Sequence, residues 1–366
     1  MSYNSNKTSD AEPRYKKAKA SKKNNFLLPL LFLVTIFPLI IHQHNYQNDI
    51  TNYPWYIWEE LSADFFLYWK SVILMVVGAI ILFMAIYQRV SAKKKEKAPI
   101  WQWLLLAFCG LVVISTLMSG HKDIALNGGY DHFEPMWVWL VYCLLTYYAY
   151  IIITKEEDIR RLVKFSSIGI AIIVVIGVLQ ALSLDPARTT LGKMLITNRE
   201  IWDNLDNFTF TFEKNRVYST LFNPNYVGVY VTLFFPITLG VTLFAKEKKP
   251  RIIAGVLSVL LLICLFGAQS KTGLLVVIIT VAVLLLFFRK RFMKHMKMFV
   301  AIGVVAVIAF FIINMAQHNA YLNAIKNAFI TEESQAALQG IETTEEYIRI
   351  EYNNKTIFLQ CEYDSE

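Results

Sequence analysis

Arg216 stands just upstream of the run Leu221-Phe222-Asn223-Pro224-Asn225-Tyr226-Val227-Gly228, and this is the sharpest concentration of useful chemistry in the chain. Asparagine accepts hydrogen bonds from first-turn N–H groups, and proline suits the first helical position, where no N–H is needed. Asn223 and Pro224 therefore mark a helix start, with Asn225 helping to shape it. A helix start offers free N–H groups and partial positive charge, a suitable seat for phosphate. Arg216 can offer a two-pronged guanidinium contact to the same anion. The run Gly267-Ala268-Gln269-Ser270-Lys271-Thr272-Gly273 has the same character: Ser270 caps a helix, and Lys271 places a cation beside its first turn. Taken singly, ordinary capping accounts for Asn223-Pro224, and a lysine snorkelling out of the membrane accounts for Lys271. Two cationic helix starts on one face together make an anion site.

The elements that must hold these residues are membrane helices. Apolar residues make up 55% of the 366 residues, and mean hydropathy is +0.42. Charged residues fall in short blocks between apolar runs, as expected where each run crosses a hydrocarbon layer needing about 20 residues. A spanning segment must satisfy its own backbone, so helices are expected, and the alternation of a barrel is absent. Runs over 26–41, 66–87, 100–118, 135–153, 163–183, 224–245, 252–268, 273–288 and 298–316 predict about nine spans in an all-α polytopic protein. Residues 1–25 read as a disordered basic tail and 26–316 as the transmembrane domain. The first run reads as a retained signal-anchor.

Lysine and arginine concentrate in the tail, at Arg89 to Lys97, at Lys155 to Lys164, at Lys246 to Arg251 and at Arg289 to Lys297. These blocks lie on alternate loops, which predicts a cytoplasmic N-terminus and an extracytoplasmic C-terminus. The same placement explains the net charge of +8 without nucleic acid, which is not an expected partner. Cys109, Cys143, Cys264 and Cys361 show neither disulfide nor metal spacing, so no metal or cofactor is implied. The longest outer loop, 184–223, reads as an interfacial helix around Leu191, Met194, Leu195 and Trp202, followed by a short hairpin from Phe208. Beyond the ninth span, 317–366 reads as an extracytoplasmic segment opening an incomplete domain. In it, Tyr347 to Tyr352, an Asn353-Asn354 turn and the run from Lys355 form a predicted β-hairpin.

Arg216 with FNPNYVG entering one helix, and SKTGLL entering another two spans later, resembles the O-antigen ligase and polymerase-related family. GVLQAL, Gly177 to Leu182, before the long outer loop, and the short outer loop before MWVWLVY are similar to that family too. The resemblance covers roughly 100 to 288. It implies a GT-C-like, metal-independent inverting glycosyltransferase in the bacterial cytoplasmic membrane. Such an enzyme moves a glycan from an undecaprenyl-pyrophosphate donor to a glycan, lipid or protein acceptor at the outer face. On that resemblance Arg216 and Lys271 contact the donor pyrophosphate, while Asn223, Asn225 and Ser270 shape the helix starts. The chain departs from the family by carrying Lys271 in place of a more usual arginine. It also lacks the Gly-His-Gly-like motif that would supply a base: His318, His121 and His132 have no such context, so no catalytic base is named. Two other classes stay open: a transporter or flippase for a phosphate-bearing lipid or solute, with Lys70 near a span end as its one hint, and a non-catalytic membrane anchor.

Overall fold

The computed structural model describes residues 24–47, 61–91, 98–129, 132–319, 322–323, 338–343, 347–352 and 355–360. Most of the basic tail, the loop with Trp55 and Trp58, the Asn353-Asn354 turn and Cys361 lie outside them.

Within the described residues the first unit, Met1–Ile313, is built of helices. These are α1 (Leu28–Thr35), α2 (Tyr68–Ser91), α3 (Ile100–Met118), α4 (Lys122–Asn127), α5 (Met136–Ile152), α6 (Glu156–Ala181), α7 (Thr190–Ile196), α8 (Pro224–Phe244), α9 (Lys248–Ala268), α10 (Lys271–Lys294) and α11 (Met296–Ala316). Seven of them, α2, α3, α6 and α8 to α11, are long and apolar enough to cross a membrane, and the chain is a multi-pass membrane protein. The two remaining predicted spans are shorter. The first run breaks after eight residues of α1 into a 3-10 turn, Phe37–Leu39. Pro38 explains the break: it has no N–H to donate one turn back, and its ring crowds the carbonyl there. The other, α5, begins after Pro135 and has 17 residues, the lower edge of what a bilayer needs.

The main core lies between α6, α8 and α9, where Val174, Val231, Leu261 and Leu265 are fully buried. A second core joins α1, α2 and α5 through Leu31, Ile81 and Tyr148. Large apolar side chains such as Leu104, Leu286 and Phe287 face outward. In lipid this costs nothing, so helix association depends on close packing and interhelical hydrogen bonds. The Ser258 hydroxyl meets that of Thr238 at 2.8 Å between α9 and α8 for this reason.

Two features of the loops depart from the sequence reading. A short antiparallel hairpin pairs β1 (His44–Gln47) with β2 (Leu61–Asp64), and Asp64 then caps α2 by accepting from the N–H groups of Leu67 and Tyr68. No strand forms after Phe208, where a hairpin is expected. The alternating aromatics pack sideways instead: Phe208 against Phe65, Phe212 against Tyr218, and Phe210 beneath the Arg188 guanidinium. Arg188 also donates to the Phe212 carbonyl, removing it from strand pairing. The first half of the loop is helical as expected, α7 lying between 3-10 turns Pro186–Arg188 and Arg199–Asn207.

The second unit, Asn314–Glu366, contains a three-stranded antiparallel sheet in the order β3 (Leu338–Thr343), β4 (Tyr347–Tyr352), β5 (Lys355–Gln360). The predicted hairpin is β4–β5, in register from Tyr347↔Gln360 to Tyr352↔Lys355. β3 supplies a strand that sequence periodicity missed, and Arg349 of β4 pairs across to its Glu342 as well as with Glu351 on its own strand.

The His44 ring stacks on Tyr68 with centroids 3.3 Å apart. Burial lowers its pKa below the ordinary 6.5, partly opposed by the Asp64 carboxylate. The folded state therefore favours the neutral ring, and its contribution is present above pH 6.5 and lost as pH falls through the lowered folded value. Amide exchange in β1 and β2, corrected for intrinsic rates, should rise on acidification from about pH 7 to 5, and a flat profile would contradict this.

Candidate functional site

The segment from Arg216 to Asn223 is a strap running through the bundle without regular structure, and Val217, Tyr218, Ser219 and Thr220 in it are all buried. Polar groups in such a place must find partners, and those of the strap find them on several surrounding elements. The Val217 N–H donates to the Gly267 carbonyl in the last turn of α9, one of the groups a helix leaves unpaired at its end. The N–H groups of Tyr218 and Ser219 both donate to Gln180 Oε1, at 3.2 and 2.6 Å. The Ser219 hydroxyl donates to the Ile173 carbonyl of α6, and that of Thr220 to the Pro38 carbonyl at the break after α1. Finally, the Thr220 carbonyl accepts from Lys70 Nζ of α2 at 2.6 Å.

Behind the strap, Asp185 is 4% exposed and fully engaged. It accepts from Tyr218 Oη at 2.5 Å, Gln180 Nε2 at 3.2 Å and the Ala187 N–H, and pairs with Arg188 at 3.3 Å. Burial pushes the Tyr218 phenol well above its usual range, and the Asp185 carboxylate adds to the shift while Arg188 opposes it. The phenol thus stays a donor, with its contribution full below the ordinary tyrosine value of 10.0 and lost as pH rises beyond it. Sequence reading missed Asp185 and Lys70 as parts of this site. Gln180 stood inside GVLQAL, but only its complete burial in an apolar helix, invisible in sequence, marks it as a strap anchor.

The strap delivers Asn223 to the start of α8 through two left-handed residues, Ser219 (φ 50°) and Phe222 (φ 77°). Around Phe222 the Asn223 N–H closes back on the Leu221 carbonyl at 3.0 Å. A positive φ is an outlier for so bulky a residue, and the tethers on either side hold it there. Asn223 then caps α8 as expected, Oδ1 accepting from the Asn225 and Tyr226 N–H groups at 2.8 and 3.3 Å. Since Pro224 has no N–H, the first turn of α8 has no open donor, and what it offers an anion is only its field. Asn225 itself is exposed.

The start of α10 differs. Ser270 Oγ accepts from the Gly273 N–H at 3.2 Å, while the backbone N–H groups of Lys271 and Thr272 have no partner among the described residues. Lys271 is exposed, and its ammonium likewise has none. The two helix starts touch. A Cβ at Gly273 would come within 3.0 Å of Gly228 Cα, and one at Gly228 would collide with Ser270 Oγ. The final glycines of NYVG and SKTG are therefore the contact that puts α8 beside α10. Arg216 completes the group: its guanidinium donates to Gln269 Oε1, two residues before Lys271, where the chain turns through φ 53°.

Gln180→Leu removes the shared acceptor and strands two buried N–H groups, each costing about 1–3 kcal/mol. The variant should unfold at markedly lower temperature and lose protection of the strap amides, and wild-type stability would refute the tether assignment.

Comparison with protein-family models, with curated proteins and with solved structures gives no match for this chain.

Proposed function

We propose that the protein transfers a glycan from an undecaprenyl-pyrophosphate carrier to an acceptor at the outer face of the bacterial cytoplasmic membrane, in the manner of the O-antigen ligase family. On this reading the chain crosses that membrane nine times in a GT-C-like arrangement, with its N-terminus in the cytoplasm. The two short apolar helical segments, α1 with its 3-10 turn and α5, are then the remaining spans.

One observation carries the proposal: Arg216, from the strap, is bonded to Gln269 immediately before the open start of α10. Two cations from distant parts of the sequence and two backbone N–H groups converge there, the equipment needed to hold a pyrophosphate. Charge stabilisation of a departing pyrophosphate is what transfer from this donor demands, and prearranged donors supply it without reorganisation. Asn223 and Ser270 act as caps that fix the two helix starts, and the field of α8 adds to that of α10. Lys271 contributes a point charge rather than a fork.

The test is donor binding by the full chain in detergent, with undecaprenyl pyrophosphate as probe. Arg216→Ala and Lys271→Ala should each weaken binding by about tenfold, as expected for loss of a charge-assisted contact, with membrane insertion and thermal unfolding unchanged. Donor binding at wild-type strength in both variants would sink the site.

A further inference from the structure

On the opposite side of α8 from Gly228 lies a cavity of about 370 Å³ enclosed by α1, α2, α5 and α8. Tyr226, Val229, Tyr230 and Leu233 line it from α8, spaced i, i+3, i+4 and i+7 and hence on one helix face. None of the residues assigned to the pyrophosphate seat lines it.

The cavity is graded in polarity. Lys70, Glu134, Tyr142, Tyr226 and Tyr230 lie among or near the starts of α2, α5 and α8. Further along α2 and α8 its wall is apolar, formed by Leu74, Leu233 and Phe234. Lys70 is half-buried, yet no carboxylate pairs with it among the described residues: Asp64 is engaged in capping α2, and Glu134, on the same cavity, accepts from the Tyr142 hydroxyl. Its ammonium makes one hydrogen bond, to the Thr220 carbonyl, which leaves two donors in hand. Tyr230 lines the wall with its ring, while its hydroxyl is sealed from the cavity and has no partner among the described residues. A half-buried ammonium with unused donors is costly in an apolar setting, so Lys70 awaits an acceptor.

The opening shows where that acceptor comes from. Val229 and Leu233 line the cavity and are 57% and 60% exposed on the outer surface of a membrane-crossing helix, while Tyr142 and Tyr226 stand at the same edge. The cavity thus opens sideways into hydrocarbon, a route for a molecule already dissolved in the bilayer. We propose that it binds an anionic, phosphate-bearing membrane lipid, its phosphate on Lys70 and its first chain segment against the apolar wall. This site goes beyond the pyrophosphate seat and does not depend on it. The two are joined through the strap, because Thr220, which holds Lys70, lies between Arg216 and Asn223.

The experiment uses the full chain in detergent, titrated with phosphatidylglycerol, with phosphatidylcholine and with inorganic phosphate. Phosphatidylglycerol should bind and Lys70→Gln should weaken it by about tenfold. Arg216→Ala should leave this binding unchanged, which separates the site from the donor seat. Leu233→Trp, which blocks the opening from an exposed position, should also abolish binding and serves as the reading if Lys70→Gln does not fold. Inorganic phosphate should not displace the lipid, and displacement at equal concentration would replace the lipid site by a free-anion site. Unchanged lipid binding in Lys70→Gln and Leu233→Trp would overturn the proposal, as would binding of phosphatidylcholine with equal strength.

Discussion

The structure turns on a constraint that water would remove: an irregular strap of chain, Val217 to Thr220, is buried in an apolar bundle and must have its polar groups satisfied there. Four elements answer it. Gln180 of α6, the Gly267 carbonyl of α9, the Pro38 carbonyl at the break after α1 and Lys70 of α2 all spend polar groups on this segment. Unpaired backbone groups in hydrocarbon are expensive, so these bonds fix the strap closely and with it both of its ends. One end presents Arg216 to Gln269. The other brings Asn223 to α8 through strained residues that a loosely held loop would relax.

The irregularities of the surrounding helices follow from the same need. Pro38 breaks the first helix and thereby frees a carbonyl that an intact helix would have used, and Thr220 takes it. The end of α9 leaves Gly267 without a helical partner, and Val217 supplies one. Glycines at 228 and 273 let α8 and α10 meet at their starts, so that the field of one helix acts where the other has open N–H groups. The asymmetry between the starts is chemical: proline and an asparagine that accepts twice close α8, whereas serine accepts once and leaves Lys271 and Thr272 open.

Much of this was legible in sequence. Hydrophobic runs located the long helices, because length and apolarity are properties of a segment alone. Caps at Asn223 and Ser270 were legible for the same reason, their chemistry being local. The strap was not, since its partners lie from 33 residues away, Tyr218 with Asp185, to 182, Thr220 with Pro38, and no periodicity records them. Alternation after Phe208 suggested strands, but tertiary packing of its rings and the Arg188 contact prevailed over local preference. β1, β2 and β3 escaped because four to six residues with weak alternation carry little signal, whereas β4 and β5 alternate clearly around their turn.

Anion binding is the central claim, and the most direct measurement is a cryo-electron microscopy map of the full chain with undecaprenyl pyrophosphate bound. Phosphate density is predicted within hydrogen-bonding reach of the Lys271 and Thr272 N–H groups and of the Arg216 guanidinium. Density confined to another part of the bundle, with the start of α10 empty, would contradict it.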